Sequence, residues 1–253
     1  MLSALASSFS ADFITLLFFG TKPCLYLPVN GNLPLHAYWI SPIIGIILGL
    51  LAYVYQYCLL SLKPISAKIK LIPKKYHSII AFLLIIPIGL WNAKLLGGSH
   101  VLINDLYSKN IDLHPNLGTL SFLLLPLTIF LVRFLYSMIS YGATVPGGIF
   151  KPILVLGAAL GVLLDSVLIQ GKLLDVNYFP NIVIISMAAY FGAIEKAPFT
   201  AIILITEMFG SVEQVLPMII ATFVSYYVLD LLGRRPIYEA LRLQMPFKKE
   251  SDN

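Results

Sequence analysis

Charge is what this 253-residue chain has least of. Asp, Glu, Lys and Arg together make up 11% of it, against about 25% in an ordinary soluble domain. That scarcity excludes a water-soluble globular enzyme. The net charge of +5 does not make a nucleic-acid patch either. Lys63, Lys68, Lys70, Lys74 and Lys75 fall in one connection, and Arg234, Arg235, Arg242, Lys248 and Lys249 gather near the C-terminal end. Both clusters flank apolar runs of lipid length, the pattern of cytoplasmic connections. Cysteine is scarce too: Cys24 and Cys58 sit in or beside apolar stretches and offer neither a disulfide framework nor a metal spacing. The histidines His36, His77, His100 and His114 are scattered. With no His-x-x-x-His, no Ser/His pair and no acidic cluster in the apolar runs, neither an intramembrane enzyme nor a cofactor is expected. Met1 is followed by no basic region, so no cleavable signal peptide is read, and a first spanning helix is left to direct insertion.

What is abundant is hydrocarbon. Hydrophobic residues make up 58% of the chain, and mean hydropathy is +0.88. The expected class is an all-α, polytopic membrane protein, because a lipid-exposed backbone must satisfy its polar groups within helices. Residues 1–19 are apolar but short for a span and end at Gly20, and a Pro-rich loop follows to Pro34. Residues 38–61 predict a long helix, ending at the Lys-rich connection. The run 78–96 is apolar, with Pro87 expected to break it, and 99–116 is polar, read as a short helix and a loop. A long run covers 117–140, and another begins at Ile149 and reaches about Gln170. Residues 181–194 and 199–209 are short apolar runs separated by a charged break at Glu195-Lys196, where the two residues are expected to pair. At about 1.5 Å per residue such runs fall short of the ~30 Å hydrocarbon core. Residues 214–232 predict a further helix, and a last one restarts after Gly233.

The most informative stretch is 141–157. Pro146, Gly147 and Gly148 stop one apolar helix, and Ile149 and Phe150 open the next, with Pro152 in its first turn, where a missing N–H costs little. A helix start at membrane depth carries unpaired amides and a positive dipole end, so it needs a polar partner or an anion. A simple Pro-Gly kink in a packed helix is the plainer reading of the same residues. Broken apolar helices of this kind mark ion or substrate sites in transporters and channels. A second helix start at Ile237 and Tyr238 is placed to aim at the same point.

The segment Pro146-Gly147-Gly148-Ile149-Phe150-Lys151-Pro152 resembles the G-x-F-x-P signature of the CLC family of chloride channels and chloride–proton antiporters. Further matches follow in family order. The stretch from Lys196 through Ala197, Pro198, Thr200 and Leu204 to Glu207 and Met208 is similar to R-A-P-x-T-x-x-x-L-x-x-E-M. Leu216-Pro217-Met218-Ile219-Ile220 keeps the family spacing, and Arg235-Pro236-Ile237-Tyr238 resembles the K-P-x-Y segment that opens the family's last membrane helix. Arg133 stands where the family often has a basic residue.

The resemblance implies a CLC-like fold of broken and tilted helices. In it, 1–61 are the end of the first half, 78–232 the second inverted repeat, and 235–253 the final helix and a cytoplasmic tail. It implies that Gly148, Ile149 and Phe150 bind a dehydrated chloride through backbone amides, with the Tyr238 hydroxyl donating from the other side. Without the resemblance, Tyr238 reads as one interfacial aromatic among fourteen tyrosines. Lys151, Arg133 and Glu207 are candidate modulators, Glu207 as a membrane-buried carboxylate. The family's G-S-G-x-P and G-[KR]-E-G-P motifs do not occur in the sequence, and Thr21 falls where proton-coupled members carry an inner glutamate. The expectation is therefore a chain whose first repeat is mostly missing: a fragment, a split product working with a separate N-terminal half, or a degenerate copy. It is expected as a homodimer in the bacterial inner membrane, with contacts on 11–20, 38–55 and 197–230 and a cytoplasmic C-terminus. The competing functions are a non-conducting membrane subunit and a broken-helix transporter of an organic solute.

Overall fold

A computed structural model describes residues 2–20, 32–68, 77–91, 118–142 and 148–244. All regular structure in them is helical: α1 Leu2–Phe19, α2 Ile40–Lys68, α3 His77–Trp91, α4 Gly118–Gly142, α5 Phe150–Gln170, α6 Phe179–Glu195, α7 Pro198–Phe209, α8 Val215–Leu231 and α9 Ile237–Leu243. Single 3-10 turns at Leu35–Ala37 and Val176–Tyr178 lead into α2 and α6. Cys24, Thr21, His100, His114, Lys70, Lys74, Lys75, Lys248, Lys249 and the polar region 99–116 lie outside the described residues, as do Pro146 and Gly147.

Among the described residues, five helical stretches are long and apolar enough to cross a membrane: Leu2–Phe19, Leu35–Leu62, Leu123–Gly142, Phe150–Gln170 and Val176–Glu195. Two of these correct the expectation of short runs. The N-terminal helix reaches 18 residues. The 181–194 run lengthens because the 3-10 turn Val176–Tyr178 feeds straight into α6. Proline also proves a weaker breaker than its position suggests. Pro87 sits inside α3 and Pro126 inside α4, and α2 continues past Pro64 to Lys68. In lipid an abandoned helix leaves more backbone groups unsatisfied than one missing N–H does, so the helix persists.

The core is built around α6, in which every residue from Phe179 to Ile194 is buried. The helices α2, α5, α7, α8 and α9 all pack on it, while α4 lies against α5 and α2 and α3 lies against α4. No residue of α1 is buried. Small residues let these axes approach closely, as in membrane bundles where packing rather than hydrophobicity joins helices. A Cβ on Gly161 of α5 would sit 2.8 Å from the Val183 Cα of α6. One on Gly49 of α2 would sit 2.8 Å from the Val228 Cβ and 2.9 Å from the Ser225 carbonyl of α8.

Gly161→Ala is therefore expected to destabilise the fold by about 1–3 kcal/mol, the usual cost of overpacking a tight contact. Gly142→Ala, whose added methyl would meet nothing closer than 4.0 Å, is expected to change stability by less than about 0.5 kcal/mol. Unfolding of the purified chain in mixed detergent micelles measures both.

Candidate functional site

Helix α5 begins with Ile149 as its N-cap, at φ −93° and ψ −10°, and among the described residues no side-chain hydrogen bond caps it. The first intrahelical bond runs from the Ile153 amide to the Ile149 carbonyl at 3.1 Å. Pro152 has no N–H, so the amides of Ile149, Phe150 and Lys151 are the ones the helix cannot satisfy itself. This start opens onto a cavity of about 130 Å³ lined on the α5 side by Gly148, Ile149 and Pro152. That is well above the ~10–15 Å³ a single water requires.

The opposite wall is one face of α4: Arg133, Tyr136, Ser137, Ser140 and Tyr141. These residues recur at i, i+3, i+4, i+7 and i+8, the periodicity of a single helical face. The cavity thus combines backbone amides, hydroxyl groups and one guanidinium. Among the described residues, no group of three or more His, Cys, Asp or Glu could hold a metal.

Behind α4, the Tyr55 hydroxyl lies 3.4 Å from the Ser137 hydroxyl. Its ring stacks edge-on against Phe134 at 5.9 Å and Tyr190 at 6.2 Å. Tyr55 also lies within electrostatic range of Tyr141, Tyr238 and Glu195, and Tyr238 within that of Tyr141, which lines the cavity at the start of α5.

Gln56 of α2 sets the position of that phenol. Its Nε2 donates to the Ile194 carbonyl at 2.9 Å and to the Arg235 carbonyl at 3.3 Å. One buried amide thus ties the C-terminal end of α6 to the segment that launches α9. At the end of α6 the backbone turns through Lys196 in the left-handed region, φ 55°. Lys196 N–H bonds back to Ala193 at 3.1 Å and Ala197 N–H to Gly192 at 3.2 Å, the Schellman pattern, here without its usual glycine.

The expected Glu195–Lys196 pair is not formed. The left-handed turn carries Lys196 away, and its Nζ meets Asp230 of α8 at 2.5 Å. Glu195 instead shares a hydrogen bond with the Tyr238 hydroxyl, and its Oε1 is buried with no hydrogen-bond partner among the described residues.

The expected site residues divide accordingly. Gly148 is exposed and Ile149 buried, both lining the cavity together with Arg133. Phe150 is in the same first turn, with its ring edge-on to Phe191 at 5.2 Å. Tyr238 is 51% exposed and stands beside the cavity rather than in its wall. Lys151 is exposed and outside the lining. Glu207 is exposed on the outer face of α7, because the opposite face of that short helix, with Ala201, Ile202, Ile205 and Phe209, is the one packed inward. The sequence reading missed Glu195 as a partner of Tyr238, and it missed Gln56 and the polar face of α4. The last of these had a visible signal in its helical spacing, and Gln56 had one as the lone amide of the run 38–61.

Three comparisons bear on this arrangement. A family model described as voltage gated chloride channel matches residues 1–230. The H(+)/Cl(−) exchange transporter ClcA of Yersinia pestis bv. Antiqua (strain Angola) is 26% identical over 252 residues, covering 92% of this chain and 47% of that protein. ClcA of Klebsiella pneumoniae subsp. pneumoniae is 27% identical over 228 residues, covering 88% and 46%. Among solved structures, a slow cyanobacterial Cl−/H+ antiporter superposes with a TM-score of 0.77 at 24% identity, over 91% of this chain and 52% of that one. A CLC-type fluoride/proton antiporter gives 0.65 at 20% identity, over 91% and 53%. The chain spans about half the length of the relatives it matches.

Gln56→Leu removes the amide that links α6 to the start of α9. It is expected to cost about 1–3 kcal/mol through the two carbonyls left without that donor and to make Tyr238 react faster with a phenol-modifying reagent. Detergent unfolding and peptide mapping of the modified chain measure the two effects.

Proposed function

The chain belongs to the voltage-gated chloride channel family, and on that premise we propose that it forms part of a pathway moving chloride across a membrane. The observation that carries this reading is the uncapped start of α5 opening onto a cavity walled by hydroxyl groups and Arg133. Gly148, Ile149 and Phe150 offer the backbone cradle, and Tyr238 donates from the side reached through Tyr141. A helix N-terminus carries about half a positive charge, and each neutral donor to an ion contributes a net ~1.5–3 kcal/mol. Such a shell replaces the water around a halide without holding it as a buried cation would, so the ion can move on. Arg133 at the cavity wall draws anions in, and Lys151 and Glu207, both exposed, act at most through the field they add. No cofactor enters this mechanism, and chloride is the ligand.

The relatives' names, an H(+)/Cl(−) exchange transporter and a Cl−/H+ antiporter, support chloride over other solutes. Their length supports a partner. We read 1–61, 78–232 and 235–253 as the end of a first half, a second inverted repeat and a last helix, working with an N-terminal half supplied separately. The half-exposed Tyr238 suits coverage by such a partner. Exposed apolar residues on α2 (Ile43, Ile46, Ile47) and on α7 and α8 (Phe199, Ile203, Ile219) suit a homodimer face. The setting is a bacterial inner membrane, with Arg234, Arg235 and Arg242 on the cytoplasmic side. A non-conducting subunit is the second reading, favoured by the fully exposed α1, which leaves a long apolar helix for a neighbour.

Chloride efflux from liposomes separates the two. The chain co-expressed with an N-terminal CLC half is expected to conduct, and silence of every such pairing would leave the subunit reading. Tyr238→Ala is expected to weaken bromide binding by about ten- to a hundredfold, the worth of one hydrogen bond to an ion, about 1.5–3 kcal/mol. Unchanged binding by calorimetry would remove Tyr238 from the site.

A further inference from the structure

The least explained group near the cavity is Glu195. It is the last residue of α6, its hydrogen bond goes to the phenol of Tyr238, and its Oε1 is buried with no hydrogen-bond partner among the described residues. Among those residues no cation neutralises it: Lys196, next in sequence, is committed to Asp230 on α8. Arg235 leans toward Glu239 at 3.7 Å. The titratable groups that face Glu195 are phenols, Tyr238 from α9 and Tyr55 from α2, with Tyr141 of α4 behind them. The helices α5 and α7, also packed on α6, turn Lys151 and Glu207 to the exposed surface. Glu195 thus stands half-buried against hydroxyl groups.

A phenol has one hydrogen to give. While Glu195 is ionised its carboxylate is acceptor-only and claims that hydrogen. Once protonated, the carboxyl donates to the phenol oxygen, and the phenol hydrogen is freed for another acceptor. A chain of donors running one way also polarises its members and strengthens the last.

We propose that Glu195 is a proton-controlled competitor with the anion for the Tyr238 hydroxyl, so that binding a halide takes up a proton at Glu195. This deepens the anion-site reading and rests on it. The sign follows from linkage: the halide prefers the protonated form, so affinity is highest at low pH and falls as the carboxyl ionises. No bond is made or broken besides the transfer of one proton from solvent to the carboxylate.

The test is bromide binding to the full chain by calorimetry across pH, for wild type and for Glu195→Gln, with proton uptake read in weakly buffered solution. Wild type is expected to lose affinity by several-fold and up to tenfold per pH unit through the ionisation of Glu195, and to take up protons on adding bromide. Glu195→Gln keeps a neutral group of the same shape and is expected to bind bromide with a flat pH profile and no proton uptake. Tyr238→Phe is expected to flatten the profile as well, at lower affinity. Bromide binding whose pH dependence is the same in Glu195→Gln as in wild type would overturn the proposal and leave the anion site standing. Absence of bromide binding at every pH in wild type would overturn both. The proton-uptake measurement on wild type needs no variant, so it decides the matter even if Glu195→Gln fails to fold: uptake supports the proposal, and its absence on bromide binding sinks it.

Discussion

Ending a helix inside a bilayer strips backbone amides and carbonyls of their partners where no bulk water can replace them. Helix ends set among packed apolar helices face the same problem, and here they are the start of α5 and the close of α6, whose backbone groups the architecture satisfies in different ways. At the close of α6 the answer is internal. A left-handed Lys196 folds two amides back onto the helix, and Gln56 reaches across from α2 to take the Ile194 carbonyl. At the start of α5 no side-chain hydrogen bond serves as a cap among the described residues, and the helix opens onto a cavity whose far wall carries hydroxyl groups and Arg133. One break is sealed and the other is left available, and that asymmetry separates scaffold from site.

The scaffold makes the open break tolerable. With α6 buried from Phe179 to Ile194, close glycine contacts to α5 fix where the start of α5 must lie, and α4 can present a full polar face to it. That face mixes hydroxyl groups with a single cation, Arg133. Hydroxyl groups and amides reorient little and bind an ion modestly, which suits passage. Several fixed cations around the same cavity would suit retention. Lys151 lies outside the cavity lining, which leaves Arg133 as the cation in its wall.

Much of this is legible in the residues. The apolar runs mark the helices, Gly148 and Pro152 mark the start of α5, and Ala197-Pro198 marks the end of the α6 break. What the sequence conceals has physical causes. Glu195 and Lys196 are neighbours along the chain, but one left-handed residue between helices sends their side chains to different helices, one to Tyr238 and the other to Asp230. Pro87 looks like a break, yet it sits inside a continuous helix, as Pro126 does, because ending the helix would leave more backbone groups unpaired than one lost N–H. The apolar neighbours of Glu207 do not say which way it points, because α7 packs only its Ala201, Ile202, Ile205 and Phe209 face inward. Motifs locate breaks well, and only packing decides what each broken end faces.

The account comes down to whether the open end of α5 holds an anion. Anomalous scattering from bromide-soaked crystals of the full chain tests it most directly. The expected result is a bromide within hydrogen-bond distance of the Ile149 and Phe150 amides, on the Tyr141 side of the cavity. Bromide found only beside exposed cations such as Lys151 or Arg235, with none at the start of α5, would contradict it.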